Sequence, residues 1–270
     1  MLSLLKDCLR ESYLKKGFQN ELLEIKVTAK FANTPTLDDF LLKFSSLRDL
    51  LNSSHINSPF NSEKIQGASN LFILSTKSRF LSRLLSKYDN PNWVDIESEY
   101  FTYLHETATG GAQNKTKLIE ELNSDLKIIS DYFQNYLKKI DDEFDISKYD
   151  SEFKDRINKL LFNKIIHSSG TVGQKYKALV VNFNYTNTVS HYIENNPHEY
   201  DVETIDLHGS VGSEEVIFGY GHIDNPQYQQ LKNSGNDEFL KGLKLFNYHK
   251  QSKYTQLRDF IQKGNYDIYM

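Results

Sequence analysis

The sequence predicts an α/β fold: a large helical block over residues 1–175, followed by a parallel sheet with its helices over residues 176–270, the two making one compact unit. Three observations predict it. Residues 178–181 (Ala-Leu-Val-Val) form a short apolar run with polar flanks, the composition of a strand buried in a parallel sheet. Two more apolar runs follow, residues 202–207 and 216–218, and Val189, Tyr192 and Ile193 share a helical face between the first two. Each run then ends on polar or glycine residues: Asn182-Phe183-Asn184-Tyr185-Thr186-Asn187, His208-Gly209-Ser210 and Gly219-Tyr220-Gly221. Open α/β sheets bind ligands in the crevice beyond their carboxyl strand ends, so Asn184, His208 and Gly219 are expected around one edge.

Each of these residues also has a plain structural role open to it. An asparagine at a strand end forms turns and caps helices, and a histidine after a strand bonds to nearby backbone. Glycines in such places serve tight turns. What favours a ligand site is the coincidence of polar clusters at all three strand ends.

The preceding block is read in order. Leu2, Leu5, Leu9 and Tyr13 repeat at helical spacing. Lys6, Asp7, Arg10 and Glu11 interrupt them too early for a secretory leader. After Thr34-Pro35, a capped helix is expected over residues 36–51, with Phe40, Phe44, Leu47 and Leu51 on one face. Residues 52–68 read as a loop, and residues 71–88 as a helix carrying Phe80, Leu81, Leu84 and Leu85 inward. Asn90-Pro91-Asn92 breaks the chain and caps a helix with Trp93, Ile96, Tyr100 and Leu104 on one stripe. Its Glu97 is a candidate accessory acid, although carboxylates in a first turn also simply favour the helix dipole.

Gly110-Gly111 lacks the lysine and hydroxyl of a phosphate loop, so it reads as a linker. Long helices are expected over residues 117–140 and 153–167. The acidic run 141–145 lacks the ligand ladder and glycine of a calcium loop. Beyond Gly221 a polar loop is expected to about residue 236, then helices around Phe239, Leu243 and Phe246 and over residues 254–261. Residues 266–270 alternate like the opening of a strand.

Composition bounds the function. The net charge of −4 gives no global electrostatic case for nucleic acid. No stretch is long and apolar enough to span a bilayer. The single Cys8 excludes an internal disulfide and fits a reducing cytoplasm. His191, His198, His208 and His222 lack a tight metal-ligand spacing, so no metal is expected. No G-x-S-x-G elbow is present, and Ser210 follows His208 too closely for a nucleophile and its base.

The segments FNYTNTV, LHGS and VIFGYG together resemble the core signature of the AbiH family of phage abortive-infection proteins, and Trp93-Val94-Asp95-Ile96-Glu97 resembles that family's upstream W-x-D-x-E. A more distant resemblance is to sirtuin-like NAD-consuming domains, whose strand-(T-Q-N-I-D)-helix-strand-(L-H-G) order is similar to residues 179–186 and 205–210. It implies a Rossmann-type parallel sheet. It also implies that Asn184 and His208 lie at a nicotinamide ribose, while the motif aspartate falls on Thr186. The family pattern normally opens with a strand and G-N-G-F-D and closes with a further strand and G-H-S. Neither is present, which implies a chain lacking its first βα unit and last strand.

These resemblances imply a cytoplasmic antiphage protein hydrolysing NAD or a related nucleotide without a metal, and open to self-association. Asn184 and His208 would be the catalytic pair. Asn182, Tyr185, Thr186, Asn187, Gly209, Ser210, Gly219, Tyr220 and Gly221 would hold the substrate. The alternatives are a non-catalytic nucleotide-sensing or partner-binding module, or a truncated inactive member.

Overall fold

The computed structural model describes residues 2–15, 18–27, 41, 49–50, 55–57, 72–87, 92–143, 152, 155–156, 176–193, 200–212, 216–222, 224–250, 252–263 and 268. The chain divides into two compact units: Met1–Phe133 with Phe218–Lys244, and Gln134–Ile217 with Leu245–Met270.

The first unit opens with α1 (Leu2–Lys15), whose Leu5, Cys8 and Leu9 are buried at the i, i+3, i+4 spacing of one helical face. Burial, with Asp7 and Glu11 beside it, pushes the Cys8 thiol up to about 12, which leaves it an inert core group. Strands β1 (Phe18–Gln19) and β2 (Leu23–Val27) form an antiparallel hairpin. Its turn is set by Asn20, whose side-chain oxygen accepts from the backbone of both Leu22 and Leu23. β3 (His55–Asn57) and β4 (Phe72–Thr76) complete a sheet of order β1-β2-β4-β3, antiparallel except for the β3–β4 pair.

This sheet corrects the helix expected from residue 71. Residues 72–76 have β-branched and aromatic content that suits a strand, and they pair along their length with β2, Ile25 lying opposite Leu74. Ser78 then starts α2 (Arg79–Lys87), its hydroxyl accepting from Leu81 N–H.

Helix α3 (Trp93–Thr109) begins as expected. Asn92 and Asp95 form a reciprocal capping box. Ile96, Tyr100 and Leu104 are fully buried on its inner stripe. Glu99 is buried too, held by Arg83 at 2.7 Å and by Lys87. Burial opposes its ionisation, but the Lys87 and Arg83 bonds prevail and hold its carboxyl below the usual range. Helix α4 (Lys115–Asp142) runs on through the expected segment and buries Ile119, Leu122, Leu126, Ile129 and Phe133.

The polar loop expected after Gly221 is instead largely helical: α5 (Pro226–Asn233) starts at an Asn225 cap with proline at its first position, and a 3-10 turn covers Asp237–Phe239.

In the second unit, β6 (Tyr176–Asn182 is β5; Tyr200–Asp206 is β6) pairs parallel with β5 in the register Ala178↔Val202 through Asn182↔Asp206. The short α6 (Thr188–Ile193) lies between them in sequence. Helices α7 (Lys244–Lys250), which enters this unit at Leu245, and α8 (Ser252–Gln262) follow, α8 packing on β6.

The described residues thus carry a mixed α/β, mostly helical fold with a two-stranded parallel sheet, not a full sirtuin-like Rossmann sheet. The expected third strand is not formed: residues 216–218 take no strand conformation, and Ile217 N–H donates to the carbonyl of His208 instead of to a strand partner. The expected helices over residues 36–51 and 153–167 and the terminal strand fall largely outside the described residues.

Candidate functional site

Most of the expected site residues lie at the carboxyl ends of β5 and β6. Asn182 is the last residue of β5 and only 3% exposed. Its amide nitrogen donates to the Asp206 carboxylate at 2.8 Å and to Thr186 O at 3.3 Å, and its oxygen accepts from Asn184 N–H at 2.9 Å. Asn182 is therefore the brace of the turn, with its polar atoms committed to protein. The turn it fixes holds Phe183 and Asn184 outward, the phenyl ring 59% exposed.

Tyr185 accepts from Val211 N–H through its carbonyl, and its hydroxyl reaches the Ile217 carbonyl at 3.4 Å. Thr186 bonds to the Thr188 hydroxyl. Asn187 donates from its backbone and its amide to the two oxygens of Asp141, each at 3.1 Å. Thr186 and Asn187 thus knit the start of α6 into the unit.

Beyond β6 the chain turns tightly, Gly209 N–H returning to the Asp206 carbonyl. Gly209 has φ 78°, the left-handed conformation that suits glycine. The turn presents the half-buried imidazole of His208 among three rings. Phe183 is edge-on at 5.7 Å, Tyr185 tilted at 5.6 Å and Tyr248 stacked at 5.8 Å. Ser210 is buried. The Lys253 ammonium donates to the Asp206 carbonyl at 3.0 Å, the same oxygen that receives Gly209 N–H. The structure therefore brings Asn182, Asn184, Tyr185, His208, Gly209 and Ser210 together. It adds Phe183, Asp206, Tyr248 and Lys253, which sequence reasoning missed as site residues. Phe183 stood inside the quoted motif, but Tyr248 and Lys253 sit on helices whose pattern carries no such signal.

Glu97, Gly219, Tyr220 and Gly221 belong to the first unit. Glu97 is a structural tie there. Its carboxylate accepts from Gly219 N–H at 3.1 Å and pairs with Lys244 at 2.9 Å. Burial raises its pKa against the pull of Lys244 and the Gly219 amide. Trp93, four residues earlier, packs against Phe133 and Phe218. Tyr220 stacks flat on Phe101 at 3.9 Å. Gly219 is required by a φ of 146° and by space: a Cβ there would meet the Gly242 carbonyl at 2.2 Å.

The first unit also has an open polar cleft of about 230 Å³, lined by Ser78, Arg79, Tyr103, Glu121 and Asp125 among others. Burial, with Glu121 alongside, lifts Asp125 to about 6 against its bond from Ser78. Among the described residues, no cluster of histidine, cysteine and carboxylate side chains is suited to a metal ion, and no helix is long and apolar enough to cross a membrane.

A parallel strand pair with an asparagine-braced turn and a ring-enclosed histidine at its carboxyl end belongs to a mixed α/β protein. The family model described as bacteriophage abortive infection AbiH matches residues 36–269, and the chain belongs to that family. Its membership implies a part in abortive-infection defence. Neither a curated protein nor a solved structure is a significant match.

Proposed function

We propose that this AbiH protein defends by consuming NAD or a related nucleotide at the β5–β6 strand ends, acting in the cytoplasm. The observation that carries this reading is the turn itself: a buried, fully engaged Asn182 fixes the exposed Asn184 one residue past Phe183, whose ring lies edge-on to the His208 imidazole. Preorganised polar groups on a rigid turn are what catalysis of a bond to ribose asks for. In the proposed step the C1′–N bond breaks and its electron pair goes to the leaving base. Water oxygen bonds to C1′, and His208 takes the water proton as general base. Asn184 holds the ribose hydroxyls. Gly209 and Ser210 line the turn.

The test is a phage challenge of cells carrying wild-type protein, Asn184→Ala or His208→Ala, with cellular NAD measured after infection. Protection with NAD loss in wild type, and neither in the variants, is the expected result. Wild-type protection by a folded double variant would overturn the catalytic reading. A second reading, a nucleotide-sensing module without turnover, is favoured by Thr186 standing where the sirtuin-like motif has its aspartate. It predicts ligand binding and protection with NAD unchanged.

A further inference from the structure

We infer that the polar cleft of the first unit binds a free amino acid, with its ammonium on Asp125 and Glu121 of α4 and its carboxylate on Lys77, just past β4. This goes beyond the strand-end reading and does not rest on it, since the whole lining of the cleft lies within residues 1–133.

An open polar cleft is ordinarily solvated surface. This one holds charges of both signs that do not pair. Elsewhere in the unit carboxylates are taken up by cations: Glu99 by Arg83 and Lys87, Glu97 by Lys244, and Asp131 by Lys127. Half-buried Asp125 accepts from the Ser78 hydroxyl at 2.6 Å and forms no ion pair among the described residues. Glu121 forms none either, and it lies one helical turn from Asp125, at the spacing that sets like charges against each other. Burial and the Glu121 charge both oppose ionisation of Asp125. A ligand ammonium placed there would relieve the repulsion.

The cation comes from another element. Ser78 caps α2 through Leu81 N–H and at the same time holds Asp125 against the start of that helix. Lys77 precedes it, exposed, its ammonium donating to the Asn20 carbonyl at 3.1 Å and forming no ion pair among the described residues. Lys77 and Asp125 therefore line one cleft without meeting. A simple cation or anion would face a like charge at one end of it, whereas a zwitterion matches both. Tyr103, with Arg83 over its ring at 4.6 Å, and Ser124 add hydroxyls that form no hydrogen bond among the described residues. The volume of about 230 Å³ is below the roughly 300–1,000 Å³ of drug-sized sites, which calls for a small ligand.

The experiment measures binding to the full chain by calorimetry, with glycine, L-alanine and L-leucine as probes beside their amides, which lack the carboxylate, and their N-acetyl forms, which lack the ammonium. A free amino acid should bind ~10-fold or more tighter than either of its own derivatives. Asp125→Asn, which keeps an acceptor for Ser78, should lower its affinity to that of the N-acetyl form. Lys77→Met should lower it to that of the amide, and Lys77→Arg should restore it. Wild-type affinity should rise as pH climbs through about 6, where Asp125 gives up its proton. Glu121 on the same helix, Glu21 in the hairpin turn, Tyr103 on α3, and Lys77 and Arg79 at the start of α2 also line the cleft, so loss of that rise in Asp125→Asn is what assigns it. The inference is overturned if none of the three amino acids binds at millimolar concentration, or if an amide or N-acetyl form binds as tightly as its parent. It also fails if folded Asp125→Asn or Lys77→Met binds as wild type does, or if the pH response survives in Asp125→Asn. The comparison of derivatives uses wild-type protein and decides the matter even where a variant misfolds.

Discussion

Glu97, expected from the sequence as an accessory acid, ties two segments of the first unit together. Its two oxygens serve Gly219 N–H and the Lys244 ammonium, with the two side chains only 12% and 15% exposed. Glu97→Gln keeps an acceptor for Gly219 but leaves the Lys244 charge buried without its partner. It should cost about 2–4 kcal/mol in urea unfolding, and adding Lys244→Met should recover part of the loss. Full stability in Glu97→Gln would show that solvent, not the carboxylate, satisfies Lys244. Asp125 offers a test in pH. Its folded pKa is raised from 3.8 to about 6, so the folded state holds the proton more tightly than the unfolded chain. Its contribution is present at low pH and is lost as pH rises from about 4 through about 6. Asp125→Asn should therefore be more stable than wild type at pH 7.5, by about 1–2 kcal/mol after allowing for partial exposure, and should show little gain at pH 4. Equal differences at both pH values would rule this out.

At the scale of elements, the sharpest contrast is between Asn182 and Asn184. Both asparagines were expected as site residues from one motif, yet they have opposite surroundings. Asn182 is placed opposite Asp206 by the parallel register and is buried, whereas Asn184 is exposed. Asn182→Ala removes the partner of a carboxylate and of the Asn184 amide, and should cost about 2–4 kcal/mol. Asn184→Ala should change thermal stability little, by about 0.5 kcal/mol or less, which makes it the cleaner probe of function. A comparable loss in both would mean that the turn is not organised as described. The start of α3 was legible because capping is local: Asn92 and Asp95 are three residues apart and satisfy each other. β4 was not, because residues 72–76 sit directly before a strongly amphipathic helix, and only pairing with β2 decides their form. The run 216–218 misled in the other direction. Its apolar residues are buried as a strand's would be, but the backbone of Ile217 folds back on His208.

For the whole molecule, the division into units cuts across sequence order, and no reading of local pattern could find it. The first unit needs residues 218–244 to close on residues 1–133. That later segment supplies the Tyr220 ring on Phe101, the Glu238 carbonyl for Asn123 and the Lys244 charge for Glu97. A fragment of residues 1–133 should therefore fail to unfold cooperatively by circular dichroism, and joining residues 218–244 to it through a flexible linker should restore a sigmoidal transition. Cooperative unfolding of the short fragment would show that the later segment is dispensable.

The packing around Gly242 also constrains the order in which this sequence can change. A Cβ at Gly219 would strike the Gly242 carbonyl, and a Cβ at Gly242 would strike the Tyr100 hydroxyl at 2.1 Å. That hydroxyl in turn donates to Asn123 at 2.6 Å. Enlarging Gly242 is thus closed to a single step and opens only after Tyr100 has shrunk. Shrinking Tyr100 first would leave the half-buried Asn123 oxygen without its donor, at about 1 kcal/mol. Replacing Asn123 first would in turn leave the buried Tyr100 hydroxyl without its acceptor, so Gly242 can be enlarged only after a costly change at one of two positions distant in sequence.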